Sequence, residues 1–307
     1  MGFASLRSYG GAGFCITEPK TKVRIQSSTS QDIVGLAGLD AAARTSVRDL
    51  VDSLSKIRPE NPFSLTIEAF APQHVGFGSK TSLLLSIIAA ANAYLKLRLT
   101  RGEMQRLSGR GGASGVGVHA FFRGGVICDG GHATQARLLP SSGGRPIEPP
   151  PLLARLRFPP EWRALLLLPR ERGPAGETER EFFAQNTPIP ADEALQTIAA
   201  LYHGILPAIR TGDLELLAEA LARIHSMGFK RREVAFRGPA VAALLGELQK
   251  RRLAAGMSSM GPLVYVIATQ TDERALHYAE ELARACGVET LGVVAGANEG
   301  HVLERLR

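Results

Sequence analysis

Clusters of glycine and hydroxyl residues are the features of this sequence that most clearly suggest chemistry. In residues 72–82, Gly76 and Gly78 allow a tight backbone bend and close approach to a ligand. Apolar residues at helical spacing follow, and the hydroxyls of Ser79 and Thr81 stand at the predicted helix start, where N-caps belong. Free N–H groups and the positive end of the helix dipole would converge on this loop, so we predict that it binds phosphate.

Two further clusters, residues 109–117 and 256–262, combine glycine with serine in a similar way. Cluster 109–117 also contains Ser114 and Arg110, whose guanidinium fork suits an anionic ligand. Cluster 256–262 contains the candidate ligand-binding residues Ser258, Ser259 and Gly261. Each cluster alone could be an ordinary turn, but the three together predict one phosphate pocket lined by backbone donors.

Candidate titratable groups lie in or near these clusters. Asp129 and His132 end a predicted strand, where a carboxylate and an imidazole can bind a metal ion or transfer protons; a β-turn with a solvated aspartate is the alternative. His74 lies inside the first loop, so we predict that it contacts the ligand. The acidic residues within 177–181 and the basic run 230–232 are predicted to be solvated surface, with a functional role for Glu177 or Glu179 as the alternative.

The composition indicates a folded protein of two domains with an anionic partner. A length of 307 residues suggests two domains, and 45% apolar residues are ample for a core. The net charge of +7 suggests an anionic ligand, whereas the few aromatic residues do not alternate with basic ones, which argues against nucleic-acid binding. Three widely spaced cysteines argue against a zinc site or a disulfide framework. We find neither a signal peptide nor a membrane-spanning run and expect a cytoplasmic protein.

Hydrophobic periodicity predicts helices interleaved with strands in both halves, an α+β or α/β chain without regular βαβ units. The predicted helices cover residues 41–56 (with Asp40 as N-cap), 83–97, 101–107 (with Thr100 as N-cap), 177–183, 192–210, 213–224, 239–254 and 272–286. The predicted strands cover residues 23–27, 63–70, 118–122, 125–129, 162–168, 263–268 and 290–295, with a tight turn at 123–124 joining the third to the fourth. These elements would place the glycine clusters at the ends of strands and the beginnings of helices.

The glycine clusters resemble motifs of the GHMP kinase superfamily. The pattern Pro-x3-Gly-x-Gly-Ser at 72–79 is similar to its phosphate loop, and residues 256–262 are similar to its C-terminal glycine-rich motif. Within the superfamily the chain most resembles the β-ribofuranosylaminobenzene 5′-phosphate synthases, through residues 10–14, 74–79, 109–118, 124–132 and 258–262. The resemblance spans nearly the whole chain.

This resemblance implies an α+β fold of two domains and a homodimer. The N-terminal domain, residues 1–158, is expected to resemble ribosomal protein S5 domain 2, and the C-terminal domain, residues 159–307, to be ferredoxin-like. The implied reaction condenses phosphoribosyl pyrophosphate with 4-aminobenzoate or 4-hydroxybenzoate and releases CO2 and pyrophosphate, on the path to methanopterin-type carriers. The residues that we expect to take part are listed by role: Gly76, Gly78, Ser79 and Thr81 with Ser258, Ser259 and Gly261 for pyrophosphate; Arg110, Ser114 and His74 for the substrate; and Asp129 for Mg²⁺.

Two departures from the superfamily keep other functions open. Kinases that use a catalytic aspartate place it shortly after a Ser-Gly pair, but residues 116–118 here are Val-Gly-Val. An ATP-dependent small-molecule kinase therefore remains an alternative that would lack its base. The family also implies a strand with a Leu-His-Phe-like segment before the first glycine turn, and we expect that strand to be shortened in this chain. A non-catalytic binding protein of the same fold is the third possibility.

Overall fold

The computed structural model of the chain describes residues 7–133, 148–170 and 177–305. The shortened N-terminal strand was predicted over residues that lie mostly outside these ranges. The N-terminal half contains β1 (Arg7–Ser8), β2 (Gly11–Phe14), β3 (Lys22–Ser27), β4 (Asp32–Val34), α1 (Ala41–Ile57), β5 (Phe63–Ala69), α2 (Ser79–Tyr94), α3 (Arg101–Ser108), α4 (Val116–Arg123), β6 (Val126–Asp129), β7 (His132–Ala133) and β8 (Leu152–Leu156).

The first core forms where α1 and α2 pack on the sheet β3-β5-β4. Alternation in β5 buries Phe63, Leu65 and Ile67, while α2 is apolar around most of its surface because it lies between other elements. The predicted caps of α1 and α3 are confirmed: Asp40 Oδ1 accepts a hydrogen bond from Ala43 N at 2.8 Å, and Thr100 forms a capping box with Glu103. This core therefore holds the start of α2 in a fixed position.

One predicted hairpin is wrong. The apolar run 118–122 is not a strand but part of α4, which buries Val118, Ala120 and Phe122. Gly124, at φ 62°, ends this helix, and its N–H bonds Ala120 O at 2.8 Å. The following strand β6 is correct and lies between β2 and β8 in a separate sheet. A short apolar run does not reveal by itself which of the two structures it forms.

The C-terminal half is a four-stranded antiparallel sheet with helices around it. Its elements are β9 (Trp162–Pro169), α5 (Glu177–Asn186), α6 (Ala191–Ala200), α7 (Leu206–Thr211), α8 (Leu214–Ser226), α9 (Gly228–Phe236), α10 (Pro239–Lys250), β10 (Ala254–Met257), β11 (Val264–Thr269), α11 (Glu273–Ala285) and β12 (Val288–Ala295). A π-helical turn, Leu201–Ile205, joins α6 to α7. The strand order β10-β11-β9-β12 is that of a ferredoxin-like domain, as predicted.

The central strand β9 is apolar apart from Arg163 because both of its faces are covered. Leu165 and Leu167 pack with α10 and α11, whereas Leu166 and Leu168 pack with α8 and residues of the N-terminal half. Two predictions in this half are wrong: α9 was read as an exposed basic run, and the helix predicted over 239–254 ends at Lys250, so that Ala254–Met257 forms a strand. Both errors fall beside the turn 258–261.

The chain after β12 returns to the N-terminal half. Ala297 N donates to Cys15 O at 3.0 Å, and Gly125 N donates to Ala297 O at 2.7 Å. The ring of His301 stacks on Phe121 with centroids 4.4 Å apart. The predicted domain boundary at 158/159 falls between β8 and β9 and stays a prediction. Within the described ranges, no helix is long and apolar enough to cross a membrane.

Candidate active site

The three glycine clusters meet at one cleft between the two halves of the chain. The cleft has a volume of about 2510 Å³, and every predicted site residue except Asp129 and His132 lines it. Loop 72–79 and turn 258–262 touch directly, because Ser258 Oγ donates to Gly76 O at 2.8 Å and Leu263 N donates to Val75 O at 3.0 Å. The expectation that the clusters share one pocket is therefore confirmed.

The start of α2 is open toward this cleft. Its N-cap is Gly78, at φ 67°, and no side chain caps the helix. The predicted capping by hydroxyls is wrong, because Ser79 Oγ instead donates to Pro72 O at 2.5 Å and closes the loop on itself. The first turn therefore keeps its dipole and its N–H groups without a capping side chain, as an anion site requires.

Arg110 lies over the same helix start. Its Nε donates to Thr81 Oγ1 at 3.1 Å, and its own carbonyl accepts a hydrogen bond from Gln105 Nε2 at 2.6 Å. Burial lowers the pKa of the Arg110 guanidinium, which at pH 7 still carries its charge. The side chain of Arg110 thus adds a fixed positive charge to the N-terminus of α2.

Ser114 and Asp129 form one hydrogen-bonded cluster at the start of α4, and the predicted contact of Ser114 with the substrate stays a prediction. The Asp129 side chain is only 2% exposed and accepts three hydrogen bonds, from Ser114 Oγ (3.1 Å), Gly115 N (3.0 Å) and Gly131 N (2.9 Å). Ser114 Oγ in turn accepts from Val116 N at 3.1 Å. Together they satisfy the N–H groups of Gly115 and Val116 at the start of α4.

The segment 129–132 holds the glycine cluster 109–117 in place. His132 Nε2 lies 2.8 Å from Gly111 O, so that the segment contacts loop 111–115 at both of its ends. Arg7 supports the segment from behind, because its guanidinium donates to Gly130 O at 2.6 Å and to Gly131 O at 2.5 Å. The function of the segment in this structure is to position loop 111–115.

His74 lies at the cleft with a left-handed backbone, φ 58°, and is tied to Asp40. Its Nε2 is 2.8 Å from Asp40 Oδ2, which also accepts from Gln73 Nε2 at 2.9 Å. Burial would raise the pKa of Asp40, but the N–H of Ala43 and the imidazole of His74 outweigh it and lower that pKa. The imidazole is thus anchored to α1, and its contact with a ligand stays a prediction.

Turn 258–261 is held by buried polar groups of α8 and α9. His225 Nε2 accepts from Met257 N at 2.8 Å while its Nδ1–H donates to Leu221 O at 2.7 Å. Lys230 Nζ donates to Ser259 O at 2.6 Å and pairs with Glu233 Oε2 at 2.5 Å, and Arg237 Nε donates to Met260 O. The prediction of a solvated basic run is therefore wrong for Lys230; spacings of three and seven residues place Lys230, Glu233 and Arg237 on one helix face.

The cleft also contains Glu179, which the sequence reasoning assigned to solvated helix surface, and two phenylalanines that it left aside. Glu179 and Phe183 of α5 and Phe229 of α9 line it. Burial raises the pKa of the Glu179 carboxyl, and Arg237 and His74 oppose that rise. Only helical spacing within α5, where Glu179 and Phe183 are four residues apart, could have indicated that they share a face.

Comparison with known proteins places this geometry in a family. The GHMP kinases N terminal domain matches residues 42–125, and the GHMP kinases C terminal domain matches residues 205–286. A homoserine kinase from Cytophaga hutchinsonii has a similar structure, with a TM-score of 0.68 and 15% identity over 94% of this chain and 90% of that chain. At that identity the likeness shows the fold alone, and it confirms the predicted GHMP kinase-like α+β architecture.

Two archaeal proteins named beta-ribofuranosylphenol 5′-phosphate synthase are more closely related. The one from Methanothermobacter thermautotrophicus is 31% identical over 300 residues, which are 95% of this chain and 90% of that protein. The one from Archaeoglobus fulgidus is 37% identical over 196 residues, which are 63% of this chain and 61% of that protein. The chain therefore belongs to the β-ribofuranosylphenol 5′-phosphate synthase family, which is built on the two GHMP kinase domains.

Proposed function

We propose that this protein is a pentosyltransferase that condenses phosphoribosyl pyrophosphate with 4-hydroxybenzoate or 4-aminobenzoate and releases CO2 and pyrophosphate. The observation that carries the proposal is the family membership over 95% of the chain. The open N-terminus of α2, with Arg110 over it, supports the same conclusion because the reaction must stabilise a departing diphosphate. The product would be a C-riboside used for methanopterin-type carriers.

The chemistry needs electrostatic stabilisation more than proton transfer. The bond between the anomeric carbon and the diphosphate oxygen breaks, and its electron pair leaves with pyrophosphate. The ring carbon that bears the carboxylate bonds to the anomeric carbon. The bond to CO2 then breaks, and its electron pair restores the aromatic ring. The helix dipole of α2 and the charge of Arg110 would favour the first event, in which negative charge builds on the diphosphate.

A phosphoryl-transferring kinase is supported less well by the same site. The first turn of α4 contains Val116 and Val118, not a carboxylate, at the place where the kinase base is expected. Asp129 does not replace it, because its carboxylate is buried and bonded to Ser114, Gly115 and Gly131. If ATP and not phosphoribosyl pyrophosphate raised the melting temperature of the protein, the kinase function would be preferred.

The described residues do not fit a magnesium ion held by the protein itself. Asp129 is buried and both of its oxygens already accept hydrogen bonds, and no group of three His, Cys, Asp or Glu side chains within the described ranges could hold a metal ion. We therefore propose that Mg²⁺, where needed, enters with the diphosphate of the substrate. The homodimer and the cytoplasmic location also stay proposals, and the first of them rests on the family resemblance. Light scattering of the purified protein tests the first of them.

The decisive assay incubates the protein with phosphoribosyl pyrophosphate, Mg²⁺ and 4-hydroxybenzoate labelled at the carboxyl carbon. We expect labelled CO2 to be released only when all three are present. Arg110→Ala serves as the matched variant, because it removes the charge over α2 and leaves the helix start itself intact. Absence of release from folded wild-type protein, with either benzoate, would refute the proposal.

A further inference from the structure

One corner of the cleft combines aromatic walls with two carboxylates, of which Glu233 is paired with Lys230 and Glu179 is not in an ion pair within the described ranges. We call it the acceptor corner and define it as Glu179 and Phe183 of α5 with Phe229 and Arg237 of α9, all of which line the cleft. The rings of Phe183 and Phe229 lie 4.9 Å apart at their centroids. Phe182 and Phe236 support them from behind without lining the cleft, with centroids 4.3 Å apart.

The acceptor corner faces the loop that we assign to the diphosphate. Arg237 Nε donates to Met260 O in the turn 258–261, and that turn contacts loop 72–79 through Ser258 Oγ and Gly76 O. His74, which belongs to the same loop, lines the cleft together with Glu179 and lies close enough to lower the pKa of its carboxyl. A ligand in the corner would therefore lie beside the reacting end of a ribose whose diphosphate occupies the start of α2.

Glu179 is the residue of this corner to which a ligand could donate a hydrogen bond. It is partly buried beside phenylalanine rings, yet within the described ranges it neither accepts a hydrogen bond nor forms an ion pair. Its neighbours on the exposed side of α5 behave differently, since Glu177 pairs with Arg180 at 3.0 Å. A carboxylate in such surroundings is stabilised by any hydrogen-bond donor that a ligand brings to it.

We propose that the ring of the aromatic acceptor packs against Phe183 and Phe229 and that its 4-hydroxyl or 4-amino group donates a hydrogen bond to the Glu179 carboxylate. This assignment rests on the proposed function. It gives the ring and the 4-substituent of the acceptor partners of matching chemistry: apolar rings for the ring, and a carboxylate for the polar 4-substituent. A ribose, which is polar on all sides, matches these walls poorly.

The hydrogen bond also has a consequence for the reaction. The 4-substituent lies opposite the ring carbon that attacks the ribose, so electron density donated at the substituent reaches that carbon. A carboxylate that accepts the O–H or N–H increases this donation as the new C–C bond forms. The hydrogen returns fully to the substituent when CO2 leaves and the ring becomes aromatic again, so no proton is gained or lost.

The test is a calorimetric comparison of two ligands that differ only in the donor. Dissociation constants of 4-hydroxybenzoate and of 4-fluorobenzoate are measured in the presence of inorganic pyrophosphate, so that no turnover is needed. A hydrogen bond to a charged group predicts that wild-type protein binds the hydroxyl compound about tenfold more tightly or better. Glu179→Gln should remove most of this preference, whereas the control Glu177→Gln should keep it.

Aromatic packing is tested by a second pair of variants. Phe229→Leu should weaken both benzoates about equally, by roughly fivefold, because the ring contact is lost and the hydrogen bond is not. Phe182→Leu, which alters the same cluster behind the cleft wall, should leave both dissociation constants within about twofold of the wild-type values.

The outcomes separate this inference from the proposed function. If wild-type protein shows no preference for the hydroxyl compound, or if Glu179→Gln and Glu177→Gln bind alike, the acceptor corner is refuted whatever the activity. If the binding pattern is as expected but labelled CO2 is not released, the ligand contacts proposed for the acceptor corner are supported and the proposed decarboxylating transfer is refuted. A folding defect in Glu179→Gln would also weaken the binding of 4-fluorobenzoate. In that case the acceptor corner is tested by comparing the benzoate dissociation constants of Phe229→Leu and Phe182→Leu.

Discussion

Substitution of Gly76 by alanine should damage the phosphate loop far more than the same change at Gly78. Gly76 has φ 113°, outside the small left-handed region that other residues can enter, and a Cβ built there lies 2.6 Å from Ser258 O. Ordinary contacts begin at 3.4 Å, so the loop and the turn would have to separate by about 0.8 Å (3.4 minus 2.6). Gly78 has φ 67°, and a Cβ there meets nothing within 4 Å.

The two substitutions should therefore reduce the affinity for the diphosphate by different amounts. Strain of this backbone type costs of order 1–3 kcal/mol, and the contact with Ser258 adds to it, so about 3 kcal/mol is a reasonable total for Gly76→Ala. If the loop relieves the strain by moving, affinity for the diphosphate falls about 100-fold. Gly78→Ala costs about 1 kcal/mol, which corresponds to about fivefold.

The assay is calorimetric titration of each variant with phosphoribosyl pyrophosphate, with urea unfolding run in parallel to separate loop effects from global stability. A 4-hydroxybenzoate dissociation constant within about threefold of the wild-type value would show that the rest of the cleft is intact. Equal losses for the two alanine variants, or unchanged binding by Gly76→Ala, would refute the argument that the loop and the turn together form the anion site.

Three further predictions follow from the groups that hold the site in place. Asp129→Asn replaces an acceptor of three hydrogen bonds with an amide that accepts through only one of its two polar atoms, and we expect the free energy of unfolding in urea to fall by about 2–3 kcal/mol. The Mg²⁺ concentration for half-maximal activity should not change, whereas it would change if Asp129 were a metal ligand. Burial lowers the pKa of His225 from 6.5 to about 4, so between these pH values the unfolded chain binds a proton that the folded protein does not. The free energy of unfolding of the wild-type protein should therefore fall as the pH is lowered from about 6.5 to 4. The fall should exceed that of His225→Phe by up to roughly 3 kcal/mol. Lys230→Met leaves Glu233 buried without its partner and should lower the free energy of unfolding by about 3 kcal/mol. The double variant Lys230→Met/Glu233→Gln should recover most of this loss. Equal stabilities of the single and double variants would contradict this.

Local patterns in the sequence predicted the structure correctly where a feature depends on a single helix or strand. Asp40 and Thr100 precede helical periodicity and do cap the helices that follow. The alternation of 63–70 and the continuous apolar run of 162–168 both became strands, because each pattern reflects how many faces of the strand are covered. The glycine clusters could likewise be recognised as loops before contacts were known.

Signals that depend on a distant partner were misread. Asp129 looks like a metal ligand in the sequence, but its oxygens are taken by N–H and O–H groups that the fold brings from residues 114, 115 and 131. Ser79 looks like an N-cap, yet its hydroxyl bonds Pro72 O. Lys230 looks like a surface cation until the turn at 258–261 is placed against it. In each case, the partner that determines the role is tertiary, and local propensity carries no information about it.

The central claim is that this cleft couples departure of pyrophosphate to loss of CO2. The most direct measurement counts both products in one reaction of wild-type protein with phosphoribosyl pyrophosphate and carboxyl-labelled 4-hydroxybenzoate. We expect one labelled CO2 for each pyrophosphate, with neither product formed when either substrate is left out. Pyrophosphate without labelled CO2 would mean that the site only hydrolyses its substrate, and neither product from folded protein would contradict the account.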